Sequence, residues 1–267
     1  AAPPAAVRAS RWMGLRIDEG ELRRRAVEGI RDEVEAFGSG HPESRLIRRD
    51  GLLASLTPAS PQRSLFNSVF YEDPAALAAE VDSLGELYDS HGIAAWTVWV
   101  PDEDRETARL LAERGHALDA APRAMAMELT DVAAAPPPPA GIEPGPCEAA
   151  VAADLNDRAY GYGPDGFRAG LAGETTIRWR GAYADGEPVG CIGTIAVGDD
   201  CCITGVATPP EHQGRGVAGW LLRRALVEAR DEGMRTASLQ ATKAGAPLYE
   251  RLGFADFGFV EMWELRR

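Results

Sequence analysis

Four consecutive prolines, at positions 136–139, divide this chain of 267 residues into two halves. Proline lacks a backbone N–H and fixes φ, so such a run cannot lie inside a helix or a central strand. It favours a stiff, extended spacer instead. At roughly 100–200 residues per domain, the length suits two small domains. We therefore predict domains at residues 1–132 and 141–267, joined by an alanine- and proline-rich linker at 133–140.

The composition excludes several classes of protein. Hydrophobic residues make up 45% of the chain and charged residues 26%, which is typical of globular domains. The net charge of −13 disfavours nucleic acid as a partner, because phosphate backbones attract clustered lysine and arginine. No apolar run approaches the ~20 residues that span a bilayer, and residues 1–16 lack the apolar core of a signal peptide. The four cysteines show no CxxC spacing, so we expect reduced thiols, no metal and a cytoplasmic location.

The second half alternates between strand-like and helix-like segments. Strand-like runs at 177–184 and 189–197 flank the hairpin signal Asp185-Gly186-Glu187. A third run at 201–207 ends at two prolines, and apolar residues at helical spacing follow at 217–232. The other elements predicted in this half are helices at 148–160, 165–171 and 246–252 and strands at 236–240 and 257–265.

The first half shows a similar but weaker pattern. The elements predicted there are helices at 19–37, 74–90 and 104–114 and strands at 50–56, 64–70 and 93–100. Each half ends its last helix on a similar segment, LLAERGH at 110–116 and LYERLGF at 248–254. We therefore predict a tandem repeat of one α/β unit.

The segment from Ile203 to Ala218 carries the most chemical information. A strand breaks at two prolines, passes through a turn rich in glycine and begins a helix. Unpaired N–H groups at a helix start, with the helix dipole, favour a pyrophosphate, and Arg215 can add a charge-assisted contact. The glycines also match G-x-G-x-x-G, but six residues separate them from the strand and no carboxylate ends the next strand. A dinucleotide site is therefore disfavoured, and a plain structural turn stays open.

Two motifs in this half resemble a known family. Gln213-x-x-Gly216-x-Ala218 is similar to the acyl-CoA pyrophosphate signature of the GNAT superfamily of N-acyltransferases, and the run APLYERLGF at 246–254 is similar to its second signature. The resemblance covers about residues 141–267. It implies an α/β fold with a mixed sheet, of the α+β kind, in two tandem GNAT-like domains. The N-terminal copy would be degenerate, because it lacks the first motif and has Leu111 in place of the tyrosine.

The resemblance also implies how acetyl-CoA would bind. The strand before the loop would be bulged, with Gly205 as the bulge residue, and pantetheine would insert beside it. The main-chain groups assigned to pantetheine and the acyl carbonyl are those of Val206, Ala207 and Thr208. The residues assigned to the pyrophosphate are Gln213, Gly214, Arg215, Gly216, Val217, Ala218 and Gly219. Thr242, where the family often has asparagine, would be a weaker cofactor contact.

The reaction implied is direct attack of an amine on the thioester of acetyl-CoA in a ternary complex. In the family, a tyrosine at the position of Tyr249 protonates the leaving thiolate, and the alternative for Tyr249 is an ordinary core residue. Tyr160, Tyr162 and Trp179 are candidates for the acceptor pocket, and ordinary aromatic packing explains them equally well. The third strand holds no carboxylate, so the sequence assigns no general base. Asp200 is expected to be a solvated turn or strand-end residue.

We expect the acceptor to be a primary amine of a small molecule. The alternatives are a protein N-terminus or lysine as the acceptor, or a non-catalytic module that binds acyl-CoA. The first half would then cover part of the acceptor cleft or support the fold. The sequence does not fix the acyl chain length or the oligomeric state.

Overall fold

The computed structural model describes residues 17–163, 166–173 and 175–267, so the expectation about residues 1–16 lies outside the described part. The α-helices are α1 (Glu19–Phe37), α2 (Pro74–Ser90), α3 (Arg105–Glu113), α4 (Ala149–Tyr160), α5 (Val217–Asp231) and α6 (Ala246–Leu252). The strands are β1 (Arg45–Arg49), β2 (Leu52–Leu56), β3 (Ser68–Tyr71), β4 (Ala95–Pro101), β5 (Ala117–Ala120), β6 (Arg123–Glu128), β7 (Glu143–Pro146), β8 (Arg178–Ala184), β9 (Glu187–Val197), β10 (Asp200–Ala207), β11 (Thr236–Ala241) and β12 (Ala255–Arg266). Short 3₁₀ turns lie at Ser64–Phe66, Ala169–Leu171 and Pro210–His212.

The first helices begin at acidic caps. Asp18, Asp73 and Asp104 precede α1, α2 and α3, and each carboxylate accepts a backbone N–H from the first turn at 2.9–3.0 Å. Such caps satisfy donors that a helix start otherwise leaves unpaired. α5 is different, because it begins after Gly216, which provides no side-chain cap. The first amides of α5 therefore stay available to a ligand.

The strands form one continuous mixed sheet. Its order is β1-β2-β3-β4-β12-β6-β11-β10-β9-β8-β7, and β5 pairs with β12. The β3–β4 and β10–β11 pairs are parallel, and the other pairs are antiparallel. In each half, a three-stranded meander leads through a long helix to a parallel strand. The predicted α/β fold with a repeated unit is confirmed.

The two halves exchange strands at the centre of the sheet. β6 precedes the proline run in sequence, yet it lies between β11 and β12, with Thr236 opposite Glu128 and Ala241 opposite Arg123. The second part of β12, from Val260 onwards, pairs with β4 of the first half. The predicted linker at 133–140 therefore divides the chain but not the sheet.

Helix α1 lies across one face of this joined sheet. Its buried stripe packs in a cluster with side chains from both halves of the chain; the cluster includes Leu22, Ala26, Ile30, Val34, Leu53, Phe70, Trp99, Ala124, Ala126 and Val260. At Gly29 the helix approaches the sheet closely, because a Cβ there would lie 2.8 Å from Oγ of Ser238. The Sγ of Cys202 lies 3.4 Å from the carbonyl oxygen of Gly29. Helix α1 of the first half thus covers the strands of the second.

Strands β1, β5, β6 and β7 lie where the sequence predicted no strand, and two of the predicted segments differ in the structure. The strand predicted at 64–70 begins only at Ser68, because the side chain of Asn67 accepts the Thr57 N–H and donates to the carbonyls of Ser60 and Arg63. These bonds hold residues 64–66 in a 3₁₀ turn. The helix predicted at 165–171 is wrong over its described part, where the structure has only the turn Ala169–Leu171. A carboxylate oxygen of Asp157 accepts the Phe167 N–H and fixes the loop there.

Candidate acyl-transfer site

The neighbouring strands β10 and β11 separate part-way along their length. They pair in parallel from Asp200 opposite Thr236 to Ile203 opposite Leu239, but β10 continues to Ala207. The register between β10 and β9 shifts between Thr204 and Ala207, which marks a β-bulge. The separation opens a wedge whose β10 edge is not paired with β11.

Gly205 lies within this bulge, with φ at +55°. A Cβ at this position would lie 2.5 Å from Cη2 of Trp179. Both the left-handed backbone and the contact with the indole require glycine. The bulge predicted at Gly205 is confirmed.

The loop after β10 ends in a helix start with unpaired donors. Gly214 and Gly216 have φ of +76° and +79°, and α5 begins at Val217. The N–H of Trp220 makes the first bond of this helix, at 3.0 Å to the Gly216 carbonyl, so residues 217–219 have no helical acceptor for their N–H groups. The first turn contains no acidic side chain. This arrangement presents several amides and the positive end of the helix dipole to an anion.

Other predicted cofactor residues shape the loop. The side-chain amide of Gln213 donates to the Thr208 carbonyl at 3.1 Å, which ties the two ends of the turn together. Arg215 is exposed, and its guanidinium lies 3.4 Å from Nδ1 of His212. The hydroxyl oxygen of Thr242 accepts the N–H of Gly245 at 3.1 Å, just before α6. The side chains of Gln213 and Thr242 thus form hydrogen bonds within the protein.

A pocket of about 360 Å³ lies beside the loop, between the proline run and helices α5 and α6. The lining residues are Pro136, Pro137, Pro139, Gly216, Gly219, Trp220, Arg223, Leu248, Arg251 and Leu252. Trp220 donates its indole N–H to the Pro136 carbonyl at 3.2 Å, so the proline segment packs on α5. Two guanidinium groups therefore flank a pocket that adjoins the free amides.

Tyr249 on α6 is 8% exposed. Its ring packs edge-on against Phe254, with centroids 5.8 Å apart. Burial raises the pKa of Tyr249 well above its ordinary value, and the nearby Tyr160 and Glu33 add to the rise. The hydroxyl is therefore protonated at neutral pH, as a proton donor must be.

The acceptor-side aromatic residues take two different positions. Tyr160, at the end of α4, donates its hydroxyl to the Val206 carbonyl at 3.1 Å. Tyr162 stacks beside it, with centroids 6.1 Å apart, and the Arg63 guanidinium lies 3.6 Å above the Tyr162 ring. Trp179 instead packs beneath Gly205, and its buried Nε1 has no partner among the described residues. Tyr160 and Tyr162 are thus near the bulge surface, and Trp179 supports the bulge from below.

One buried carboxylate at this place was not predicted from the sequence. Glu33 on α1 is 8% exposed, and its carboxylate is hydrogen-bonded to the side chain of Thr204, next to the bulge. The pKa of Glu33 is raised to about 7, chiefly by burial; the hydrogen bond to Thr204 opposes the rise and the neighbouring Asp32 adds to it. The available signal was its spacing, because Glu33 follows Ile30 by three residues and precedes Phe37 by four on the buried face of α1.

Comparison with known proteins agrees with this geometry. Residues 178–256 match the family model described as "Acetyltransferase (GNAT) domain". The second half of this chain contains a GNAT domain. A search of curated protein sequences finds no match.

Solved structures extend the likeness in fold to the first half. A GCN5-related N-acetyltransferase from Kribbella flavida is 17% identical, with a TM-score of 0.63 over 92% of this chain and 96% of its own. A GCN5-related N-acetyltransferase from Sphaerobacter thermophilus is 19% identical, with a TM-score of 0.57 over 81% of this chain and 76% of its own. A tandem GNAT protein from the clavulanic acid biosynthesis pathway is 14% identical, with a TM-score of 0.52 over 93% and 96%.

The first half also contains a parallel strand pair that ends early, but its surroundings differ. β3 and β4 pair only at Ser68–Thr97 and Val69–Val98. Beyond that point, the Tyr71 hydroxyl donates to the Asp104 carboxylate at 2.7 Å and joins the end of β3 to the start of α3. At the start of α2, the Asp73 carboxylate caps the amide of Ala75. The first half thus has a hydrogen bond from β3 to α3 and a carboxylate cap on α2, whereas the second half has an unpaired strand edge and an uncapped helix start.

The cysteines of the GNAT domain are unsuited to nucleophilic catalysis. Burial raises the pKa of Cys191 and Cys202 well above the ordinary value, so both remain thiols. Asp200 is buried rather than solvated, because Thr236 and Ser238 donate hydroxyl hydrogen bonds to its carboxylate. Across residues 17–163, 166–173 and 175–267, no group of three or more metal-ligating side chains is found, and no helix is long and apolar enough to cross a membrane.

Proposed function

We propose that this protein is an N-acetyltransferase that transfers the acetyl group of acetyl-CoA to a primary amine of a small molecule. The observation that supports it most is the wedge between β10 and β11, which leads directly to the uncapped start of α5. An unpaired strand edge suits the amides of pantetheine, and a helix start suits a pyrophosphate. The same two features are absent or filled in the first half, among the described residues.

Each part of acetyl-CoA has a complementary surface in this proposal. The main-chain groups of Val206, Ala207 and Thr208 would hold pantetheine and the acyl carbonyl. The loop and first helical turn, residues 213–219, would hold the pyrophosphate. Arg223 and Arg251 would face the phosphorylated nucleotide end, since they flank the adjoining pocket. Thr242 would add a contact through its hydroxyl hydrogen.

The protein contributes position and proton transfer to the chemistry. Fixed backbone N–H groups on β10 would stabilise negative charge on the carbonyl oxygen as the amine attacks. Holding both reactants in one cleft supplies a further large part of the acceleration. Tyr249 would give its proton to the departing sulfur. The ordinary pKa values of about 10 for tyrosine and about 8.5 for a thiol leave that transfer slightly uphill. Burial of Tyr249 raises its pKa further, so the proton would move only as negative charge develops on the sulfur.

The acceptor side favours a small molecule over a protein tail. Arg63 of the first half stacks on Tyr162 and contacts the buried Asp157 at 3.3 Å. Ser60 donates to the Gly166 carbonyl at 3.1 Å. The first half therefore contacts the loop after α4, which carries the candidate acceptor residue Tyr162. The net charge of −13 would attract a cationic amine.

A screen of amines tests the proposal. Purified protein is mixed with acetyl-CoA and a panel of small primary amines, lysine peptides and peptides with a free N-terminus, and release of coenzyme A is followed. We expect turnover with small amines above that with peptides. Titration calorimetry with coenzyme A is the second measurement. A protein that gives no binding heat, or that binds coenzyme A without releasing it from acetyl-CoA, would contradict the proposal.

A further inference from the structure

Glu33 lies where the sheet opens, although it belongs to the first half of the chain. On α1, Gly29 packs against Cys202, and Glu33 comes one helical turn later. On β10, Thr204 comes two residues after Cys202 and so points to the same face. The Thr204 hydroxyl bonds to the Glu33 carboxylate, and Thr204 is the last residue before the bulge.

The neighbours of Glu33 come from four elements. They are Asp32 on α1, Cys202 and Thr204 on β10, Tyr160 on α4 and Tyr249 on α6. None of these groups is basic. Burial is the main cause that raises the pKa of the Tyr160, Tyr249 and Cys202 side chains, and the charge of Glu33 adds to each rise, so Glu33 lies within electrostatic range of both tyrosines of the proposed acyl-transfer site.

A buried carboxylate with a single hydroxyl partner is costly for stability. Most buried carboxylates are paired with a cation, and the neighbours named above provide none. A cationic amine entering the cleft would supply that missing partner. A cationic ligand therefore explains the burial of the Glu33 carboxylate better than the packing of the fold does.

We propose that Glu33 is the general base of the acyl transfer. This inference rests on the proposed function. The Glu33 carboxylate takes one proton from the N–H of the acceptor ammonium, and the freed lone pair of the nitrogen forms the N–C bond with the acyl carbon. The C–S bond breaks, its electron pair stays on sulfur, and the sulfur receives the proton of the Tyr249 hydroxyl. The nitrogen, which is cationic once the N–C bond has formed, gives its second proton to the Tyr249 phenolate and becomes the amide, and Glu33 releases its proton to water. The first half would thus complete the site of the second.

The ionisation of Glu33 fits this role. A general base works best when its pKa lies near the operating pH. Burial raises the pKa of Glu33 to about 7, so the carboxylate becomes available as the pH rises through that value. Turnover of the wild-type protein should therefore rise across this range.

The test compares Glu33→Gln with Glu28→Gln. Glu28 lies on the same helix, is 44% exposed and pairs with Arg24, so it is a matched control away from the site. Release of coenzyme A from acetyl-CoA is measured between pH 6 and pH 9, with the amine panel and with water alone. Glu33→Gln should lower kcat by about 100-fold or more at pH 7.5 and abolish the rise near pH 7. Glu28→Gln should stay within twofold of the wild type.

Two further measurements separate a chemical role from a structural one. Calorimetry should give a Kd for coenzyme A within about twofold of the wild type for both variants. Because folding raises the pKa of Glu33, the stability linked to this group is present at low pH and lost as pH rises through about 7. Glu33→Gln should therefore unfold at the same or a higher temperature than the wild type at pH 8.

The outcomes are distinct. If the wild type turns over and Glu33→Gln keeps both its kcat and its rise near pH 7, Glu33 is not the base and the proposed function stands. If Glu28→Gln loses as much activity as Glu33→Gln, the inference is also overturned. If the wild type binds coenzyme A but releases none from acetyl-CoA with any amine or with water, the proposed function fails and the base with it.

Discussion

Gly205 determines the local shape of the proposed site. Its backbone has φ at +55°, in the left-handed region, and its α-carbon faces the Trp179 indole. The bulge turns β10 away from β11, and this turn leaves main-chain groups of β10 unpaired. A residue without a side chain is therefore needed where the wedge begins.

Substitution of Gly205 should destabilise the protein more than substitution of an ordinary turn glycine. Gly205→Ala should lower the free energy of unfolding by roughly 3 kcal/mol, since it adds backbone strain and overpacking against Trp179. Gly186→Ala is the control, because φ is +83° there and nothing lies within 4 Å of a Cβ. It should cost about 1–2 kcal/mol. Urea unfolding gives both values. Equal losses in the free energy of unfolding would argue against a clash between the new Cβ and Trp179.

The hydroxyl of Tyr249 should matter for turnover and not for cofactor binding. Tyr249→Phe keeps the ring contact with Phe254 and removes the proposed proton donor. We expect kcat for coenzyme A release to fall by about 100-fold, with the Kd for coenzyme A nearly unchanged. Tyr183→Phe is the control, since the Tyr183 hydroxyl donates to the Pro146 carbonyl elsewhere in the domain. Unchanged turnover in Tyr249→Phe would exclude the role as acid.

At the scale of elements, the starts of α2 and α5 differ in charge. α2 begins with the Asp73 cap and Pro74. The Asp73 carboxylate would repel an anion, and Pro74 has no N–H to donate to one. α5 begins with glycines and keeps its first amides free. Two helices in equivalent places of a repeat thus have opposite capacities to bind a phosphate.

A carboxylate placed at the start of α5 should separate helix stability from cofactor binding. Ala218→Asp should hold or raise the stability of the helix by about 0.3–1 kcal/mol, because a negative charge suits a helix N-terminus. It should also weaken coenzyme A binding by about tenfold or more, through repulsion of the pyrophosphate. Ala218→Asn has the same size without the charge and should bind nearly as the wild type does. Calorimetry and thermal unfolding would check both, and equal binding by the two variants would count against a phosphate at this turn.

At the scale of the whole molecule, the exchange of strands makes the halves interdependent. β6 of the first half has a partner on each side, β11 and β12, and both belong to the second half. In return, residues 260–266 of β12 pair with β4. Helix α1 also covers one face of this joined sheet and packs on strands from both halves.

The isolated second half should therefore fail to fold. A chain of residues 141–267 lacks β6 and α1, and it would expose the edges of β11 and β12 and the apolar face beneath α1. We expect poor dispersion of amide signals in nuclear magnetic resonance spectra and no release of coenzyme A. Co-expression with residues 1–140 should restore both, and that pair is the control. A stable and fully active 141–267 fragment would make the first half dispensable.

Local sequence signals were enough to predict much of the fold. The cap Asp73 with Pro74, the spacing of apolar residues in α1 and the run APLYERLGF act within a few residues, so the bounds of α1, α2 and α6 follow from the sequence. The glycine-rich start of α5 also follows, since backbone conformation at φ above zero selects glycine locally. The bulge at Gly205 was expected from the resemblance to the GNAT superfamily, and its positive φ is the physical reason for glycine there.

Other features depend on contacts between distant parts of the chain. β6 has the sequence RAMAME, whose alanine and methionine favour a helix, and pairing on both sides makes it a strand. Glu33 is an ordinary helical glutamate in the sequence and becomes a buried carboxylate only when α1 covers Thr204. The sequence alone thus determined the repeated unit, its helix caps and the glycine-rich loop before α5, which short-range sterics and hydrogen bonds control. Only the tertiary structure decided the strand exchange and the carboxylate at the bulge, because long-range packing sets which groups lose water and which groups meet.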